Sequence, residues 1–522
     1  MPAPSPHWVF FRDHGSGGGR ERAPALDGAD RPPDAGYVTS VEATGATIRT
    51  ESRWLNAVSV LATPPALAAI RAMPFVAEVL PVAMGRRAGT ENATPSAAVH
   101  GRSVAPSSPG AEGGDVADAG ASYPQLARIG IPEAHALGYH GEGVVIGVLD
   151  TGFALEHEAL RRTRVVAARD FVQGDDDVRN DPRRLPRDTP RQNDHGTQVL
   201  SLLAAYDPGR MIGAAYGASF LLAKTERTDV ERPFEEDLWC AGLEWVEGQG
   251  ANIATTSITF DDWYRVRQRD GRTAVTTRMA SIAWERGLLL VNAAGNYGPG
   301  ASTIGAPADA PYVLAAGATD VAGRLAAFSS RGPTGDGRVK PDVVAPGTGV
   351  VVVDPKGRTG YARNGGTSFS APLVAGVAAL VIEAHPDWSP EAVREAITMS
   401  ADRADRPASD YGWGMVDARA AILFPFLEGV VRDRDRGVAI AEATIAWERV
   451  GDVAGAGWAA PGDGAPRGAT RADSGGAYTI PSVPPGAYRL SVTADGYEPE
   501  TIGPFDIPPN ARGVDVALRR AR

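Results

Sequence analysis

Cysteine is almost absent: Cys240 is the only one in 522 residues. No intrachain disulfide can form, and a cysteine-based zinc cage is excluded. Positive charge is also short. Lys plus Arg number 52 against 63 Asp plus Glu, a net charge of −11, and a surface of that sign cannot replace the counterions of a nucleic acid. No apolar run reaches the roughly 18 residues that a membrane helix needs. The longest candidate, Ala371 to Ile382, is interrupted by Pro372 and Gly376. The N-terminus, Met1-Pro-Ala-Pro-Ser-Pro-His-Trp8, has no basic start leading into an apolar stretch, so no signal peptide is visible. What remains is globular: 43% hydrophobic and 22% charged residues rule out wholesale disorder. At roughly 150 residues per domain the length allows two to four domains.

Glycine (62) and proline (41) are abundant, which predicts many tight turns and some linker. Composition then divides the chain into four parts. Residues 7–84 read as a small α+β domain, with strands at Trp8–Phe11, Tyr37–Val41, Ala57–Val60 and Phe75–Val82 and a helix behind the prolines at Pro64–Met73. Residues 85–122 are rich in Gly, Ala, Ser and Pro and lack apolar periodicity, the mark of a linker; Arg86, Arg87 and Arg102 make it easy to cut. Residues 123–426 alternate short apolar runs with helical patterns. Short apolar runs at Gly143–Leu149, Ser219–Ala223, Asn252–Ile258, Gly287–Val291 and Tyr312–Ala316 are continuous rather than alternating, as in strands covered on both faces. Helical stretches at 195–206, 235–248, 275–286 and 369–385 fall between or after them, so the part is a large α/β domain built on a parallel sheet. Residues 427–522 carry short alternating strands separated by Gly/Pro turns, the pattern of a β-sandwich.

Local context picks out four candidate chemical residues. Asp150 leaves the end of a buried strand, where catalytic groups collect in α/β sheets, and could hold an imidazole in one tautomer; a turn or capping role fits it equally. His195, in Asn193-Asp-His-Gly-Thr-Gln198, opens a helix whose apolar stripe runs through Val199, Leu202 and Leu203. A lone histidine there is ordinarily structural, but Gly196 beside it allows close approach of backbone or substrate. Ser368, in Gly365-Gly-Thr-Ser-Phe-Ser-Ala-Pro372, opens another helix, where the dipole favours developing negative charge; a plain N-cap is the alternative. Asn296, in Asn292-Ala-Ala-Gly-Asn296, could offer its amide N–H to an oxyanion, with Asn292 a competitor by composition and a turn role open for either.

Together these segments resemble one family. Val148-Leu-Asp-Thr-Gly152, Asp194-His-Gly-Thr197, Asn292-Ala-Ala-Gly-Asn296 and Gly366-Thr-Ser-Phe-Ser-Ala-Pro372, in that order, resemble the subtilisin-like serine proteases, with Phe328-Ser-Ser-Arg-Gly-Pro333 and Lys340-Pro-Asp342 in the same style. The resemblance covers about Tyr123 to Phe424. It implies that Ser368 is the nucleophile, His195 its general base and then acid, Asp150 the orienting carboxylate and Asn296 an oxyanion donor. Asp194 and Ser370 are then bystanders. Substrate would add as a strand beside Ser257-Ile258-Thr259, with Ala293-Ala294-Gly295 as the other wall of the P1 pocket. Thr259 stands where the family pattern has glycine, which should narrow the pocket and favour modest P1 side chains.

The same resemblance makes 7–84 a propeptide that templates folding and inhibits the enzyme, with self-cleavage between about Val82 and Ser122. It makes 427–522 a carboxypeptidase-regulatory-like sandwich with an accessory binding or spacing role. The expected activity is a secreted or cell-surface serine endopeptidase acting on proteins or peptides through an acyl-enzyme. Export is inferred from the family. No cofactor is required for the chemistry. Asp175-Asp176-Asp177 offer oxygen ligands for a structural calcium, and Glu158 falls where one group of relatives has an aspartate ligand, although the spacing fits no ligand template. The acidic run Glu226, Asp229, Glu231 and Glu235-Glu236-Asp237 is read either as an attractor of basic substrates or as a solvated helix start. Two rival functions are a pseudoprotease used only for recognition and a surface-attachment protein whose sandwich does the main work.

Overall fold

The computed structural model describes residues 3–15, 31–82, 119–180, 188–189, 191–228, 234–260, 264–425, 427–451, 467–480, 483, 486–507 and 513–521. The expected cleavage segment therefore lies almost wholly outside the described residues, as do Asp229 and Glu231.

Its centre is a seven-stranded sheet in the order Val343–Pro346, Leu314–Thr319, Leu289–Ala293, Ile253–Thr256, Val145–Asp150, Ser219–Lys224, Arg164–Asp170. Every neighbouring pair is parallel. The continuous apolar runs explain this burial on both faces. Ile146, Val148, Phe220, Leu222 and Val291 enter one core with Leu203 and Leu373. Their neighbours Leu149, Leu221, Ala223 and Leu290 enter a second core with Trp239, Leu243 and Met279. The first core lies under the Asp194–Ala204 and Thr367–Ala384 helices, the second under Phe234–Gly248 and Val275–Glu285. Later strands add on opposite sides of Val145–Asp150, so the order switches beside it. In open sheets of this kind ligands bind outside the strand ends at such a switch.

Two strands of the central sheet escape the sequence reading. Arg164–Asp170 is a half-exposed edge strand with arginines near its ends, and Val343–Pro346 is only four residues long.

Thr367–Ala384 is the one helix among the described residues long and apolar enough to cross a membrane, at 18 residues and mean hydropathy 1.6. It is 78% buried inside the protein, so its apolarity is that of a core helix. Neither interruption seen in the sequence breaks it. A Cβ at Gly376 would stand 2.4 Å from the Ala214 Cβ, so glycine is what lets this helix pack so closely. Pro372 withholds the N–H that would have bonded the Ser368 carbonyl.

The N-terminal part is a four-stranded antiparallel sheet in the order Thr47–Ser52, Ala57–Ala62, Ser5–Phe11, Val76–Pro81. Side-chain alternation gives it two faces. Val9, Phe11, Val58 and Val60 pack under its own helices, Ala35–Glu42 and Pro64–Arg71. Trp8, Phe10, Trp54 and Ala57 join the second core of the large domain. The run Tyr37–Val41, read above as a strand, is a correction: it lies in the Ala35–Glu42 helix. The Asp34 carboxylate caps that helix by accepting from the Gly36 and Tyr37 N–H groups. Val38 and Val41, one turn apart, are its buried residues, and Tyr37 stacks on Phe75 at 4.1 Å. Packing overrides the β-propensity of the run.

Polar contacts seal the same interface. Arg49 lies 2.9 Å from the Asp237 carboxylate, and Ser59 donates to it at 2.6 Å. Ser52 donates to Glu244 at 2.5 Å, while Arg53 donates to the Glu244 carbonyl at 3.0 Å.

The C-terminal part packs a three-stranded sheet (Ala477–Ile480, Leu427–Asp433, Val516–Leu518) against a four-stranded one (Arg467–Arg471, Thr444–Gly451, Gly486–Thr493, Glu500–Ile507). Val431, Ile445, Tyr488 and Leu490 fill the core between them.

Candidate active site

Asp150 ends the central strand and is fully buried. Its Oδ1 accepts from the Thr151 N–H at 2.7 Å. His195 is the second residue of the Asp194–Ala204 helix, and its Nδ1 lies 2.8 Å from Asp150 Oδ1 and 3.1 Å from Oδ2. With the carboxylate accepting, Nδ1 carries the proton and Nε2 is left as the basic nitrogen. Main-chain contact sets the spacing. A Cβ at Gly196 would stand 2.3 Å from the Gly152 carbonyl oxygen, so the helix start meets the strand end backbone to backbone. The Gly196 N–H donates to Thr151 Oγ1 at 3.2 Å, and Thr197 Oγ1 accepts from the Ala154 N–H at 2.8 Å.

Burial alone would make His195 harder to protonate. The charge and hydrogen bond of Asp150 outweigh it and hold the imidazole pKa above its ordinary 6.5. Asp194 plays no part in this pair; it turns to Arg191 at 2.6 Å.

Ser368 is the second residue of the Thr367–Ala384 helix and is nearly buried. Its hydroxyl donates to the Ser257 carbonyl at 3.3 Å, and Ser257 Oγ donates back to the Ser368 carbonyl at 2.9 Å. That second bond takes up the acceptor which Pro372 leaves without a helix donor. The next side chain, Phe369, has its ring 5.7 Å from the His195 ring, so serine and histidine share one neighbourhood. Asn296 Oδ1 accepts from the Thr367 N–H at 2.9 Å and from Thr367 Oγ1 at 3.0 Å, which pins the exposed amide to the start of the same helix.

The two expected pocket walls leave adjacent strands. Ser257, Ile258 and Thr259 follow Ile253–Thr256 and are half-buried. Ala293, Ala294 and Gly295 close the Leu289–Ala293 strand and its exit, and are buried. The Ala294 N–H donates to the Ala316 carbonyl and the Ser330 N–H to the Gly295 carbonyl, at 3.0 and 2.9 Å.

The carboxylates considered for calcium are otherwise engaged. Asp175 accepts from the Asp177 N–H, Asp176 pairs with Arg169 at 2.9 Å, Asp177 pairs with Arg179 at 2.9 Å, and Glu158 pairs with Arg210. Among the described residues no three His, Cys, Asp or Glu side chains converge as metal ligands. In the acidic run, Glu235, Glu236 and Asp237 are buried rather than facing solvent.

Two features went unread in the sequence. Lys224, fully buried at the end of the strand beside Asp150, lies 2.8 Å from Asp170 and 2.6 Å from Asp188. Its only signal was a charge closing an apolar run. Asn292, weighed solely as a rival to Asn296, is fully buried between the pocket walls.

Comparison with known proteins shows the family of the chain. The subtilase family (peptidase S8) matches residues 141–414, more than half of the chain. A peptidase S8 propeptide domain of Bacteroidota matches 19–96, and a carboxypeptidase regulatory-like domain matches 427–519. The chain belongs to the subtilase family and is a subtilisin-like serine endopeptidase with a propeptide. Subtilisin BL of Lederbergia lenta is 32% identical over 297 residues, covering 57% of this chain and 97% of its own. Alkaline elastase YaB of Bacillus sp. (strain YaB) is 32% identical over 300 residues, 56% of this chain and 68% of its own. The crystal structure of fervidolysin from Fervidobacterium pennivorans, a keratinolytic enzyme related to subtilisin, aligns with 99% of this chain and 78% of its own at a TM-score of 0.56. At 17% identity that likeness concerns the fold.

Proposed function

We propose that the protein is a self-processing endopeptidase in which Ser368, His195 and Asp150 act as a nucleophilic triad. The observation that carries the reading is the 2.8 Å contact between His195 Nδ1 and Asp150 beside a helix whose first turn holds the nucleophile. A peptide adds as a strand along Ser257–Thr259. The Ser368 hydroxyl turns from the Ser257 carbonyl to His195 Nε2, gives up its proton there and attacks the scissile carbonyl. Asp150 stabilises the imidazolium that forms. The oxyanion is held by the Asn296 amide and by the Ser368 N–H, a first-turn group that the helix itself cannot satisfy. Collapse expels the amine with the proton from His195, leaving an ester on Ser368; water, deprotonated by the same imidazole, then releases the acid.

In this reading the docked N-terminal part is the zymogen's inhibitor, the C-terminal sandwich is an accessory domain, and the enzyme works outside the cell or at its surface. Thr259 at the pocket entrance favours modest P1 side chains.

The test is the intact mass of wild type beside Ser368→Ala after incubation. Wild type is expected to lose roughly its first hundred residues, up to the 85–122 segment, while the variant stays whole. Equal shortening of both would assign the cut to a foreign protease and refute self-processing. If neither shortens, self-processing also fails.

A further inference from the structure

We infer that Asn292 is a positioning residue that ties the two walls of the P1 pocket together and thereby sets selectivity between small and large P1 side chains. The inference rests on the assignment of 257–259 and 293–295 as those walls.

Asn292 lies level with Thr256 of the neighbouring strand, one residue before its own chain becomes the pocket wall. Its side-chain amide donates to the Ile258 carbonyl at 3.0 Å, across the strand boundary, and to the Ala293 carbonyl at 2.7 Å, along its own strand. One NH₂ group thus holds a main-chain carbonyl from each wall. Its orientation follows from these acceptors, because the reverse flip would set Oδ1 against two carbonyl oxygens. The opposite end of the amide has no such support: Oδ1 is buried and without a hydrogen-bond partner. An unpaired buried acceptor is a cost that alanine, or any apolar residue, would not carry. The side chain is therefore justified by its donor end.

The tether also reaches the nucleophile. Ile258 follows Ser257, whose carbonyl accepts the Ser368 hydroxyl and whose Oγ donates to the Ser368 carbonyl. Asn292 thus fixes one residue of the wall, and the serine helix fixes the residue before it. Without the tether the Ile258 carbonyl loses its donor and the 257–259 wall is free to move outward from 293–295. A wider slot gains most for bulky P1 groups and loses contact with small ones. The shift in discrimination should be about tenfold, the lower range for a pocket that gains or loses a methylene-sized contact.

The experiment compares kcat and KM of wild type, Asn292→Ala, Asn292→Ser and Asn292→Asp on peptides differing only at P1 (Ala, Leu, Phe), with the thermal midpoint of each. The Phe-to-Ala ratio of kcat/KM is expected to rise about tenfold in Asn292→Ala. It should rise less in Asn292→Ser, which keeps one donor, and at least as much in Asn292→Asp, which keeps the shape but has no N–H to give. Ratios unchanged in every variant that folds would overturn the inference. So would an equal loss on all three peptides that tracks the thermal midpoint, the signature of a merely structural residue. Wild type that cleaved none of the peptides would refute the site assignment itself, and the inference with it.

Discussion

Removing the buried charge at Asp237 should abolish a pH dependence in the docking of the N-terminal domain. Asp237 is almost fully buried, and its hydrogen-bond and ion-pair partners, Ser59 and Arg49, both come from that domain. Desolvation pushes its pKa from 3.8 up to about 6, although the Arg49 charge and the Ser59 hydroxyl pull the other way. On its own helix its charge acts on Glu236, itself pushed up to about 8 by burial despite the Tyr264 hydroxyl, and on Cys240. Separation of the domains returns Asp237 to water and towards its ordinary value. The docked state therefore binds the proton more tightly. The stabilisation is fully present below about pH 4 and is lost as pH rises through about 6. The rise of 6 − 3.8, about 2 units at 1.36 kcal/mol each, is about 3 kcal/mol, or about 10²-fold in the docking equilibrium. The assay is urea-driven undocking in the Ser368→Ala chain, followed by fluorescence of Trp8 and Trp54, which are buried at the interface. The undocking free energy of the Asp237 chain should fall relative to Asp237→Asn by about 3 kcal/mol between pH 4 and 7.5. Parallel curves would refute the argument, and a difference of opposite slope would show that Arg49 rather than burial governs this carboxyl.

Lys224→Met should destabilise the large domain by about 3–5 kcal/mol, because it leaves Asp170 and Asp188 buried without their cation; a loss under about 1 kcal/mol in denaturant unfolding would contradict it. The thermal midpoint is expected to be the same with and without EDTA, since arginines engage Asp176, Asp177 and Glu158; a fall restored by calcium would contradict that. Peptidase activity should decline as pH drops through a value above 6.5, because His195 must be neutral to act as base and Asp150 holds its pKa up; a pH–rate profile with its acid limb below 6.5 would show that another group is titrating.

Legibility followed the range of the interaction. The buried strands were readable because covering by helices on both faces leaves mostly apolar residues, as in Phe220–Ala223. Arg164–Asp170, at the sheet edge, shows no such run, and Tyr37–Val41 is helical because Asp34 caps it and the sheet buries Val38 and Val41. Asp150, His195, Asn296 and Ser368 each sit in a short segment whose glycines betray the tight geometry. Lys224 sits in none, and the segment that Asn292 opens does not betray its role, because their partners lie 36 and 34 positions away. Nothing local shows that Asn292 reaches Ile258, nor that the acidic helix start is a docking face.

The backbone contact between Gly152 and Gly196 separates what is adjustable in this enzyme from what is not. The aspartate–histidine spacing is fixed by main chain against main chain, where even one methyl group would collide. A substitution cannot tune it by degrees; it can only break it. The two strips beside the serine are joined instead through a side chain, and side chains are open to single-nucleotide change. On the role proposed for Asn292, selection, or an engineer, can therefore vary the P1 preference without altering the aspartate–histidine spacing.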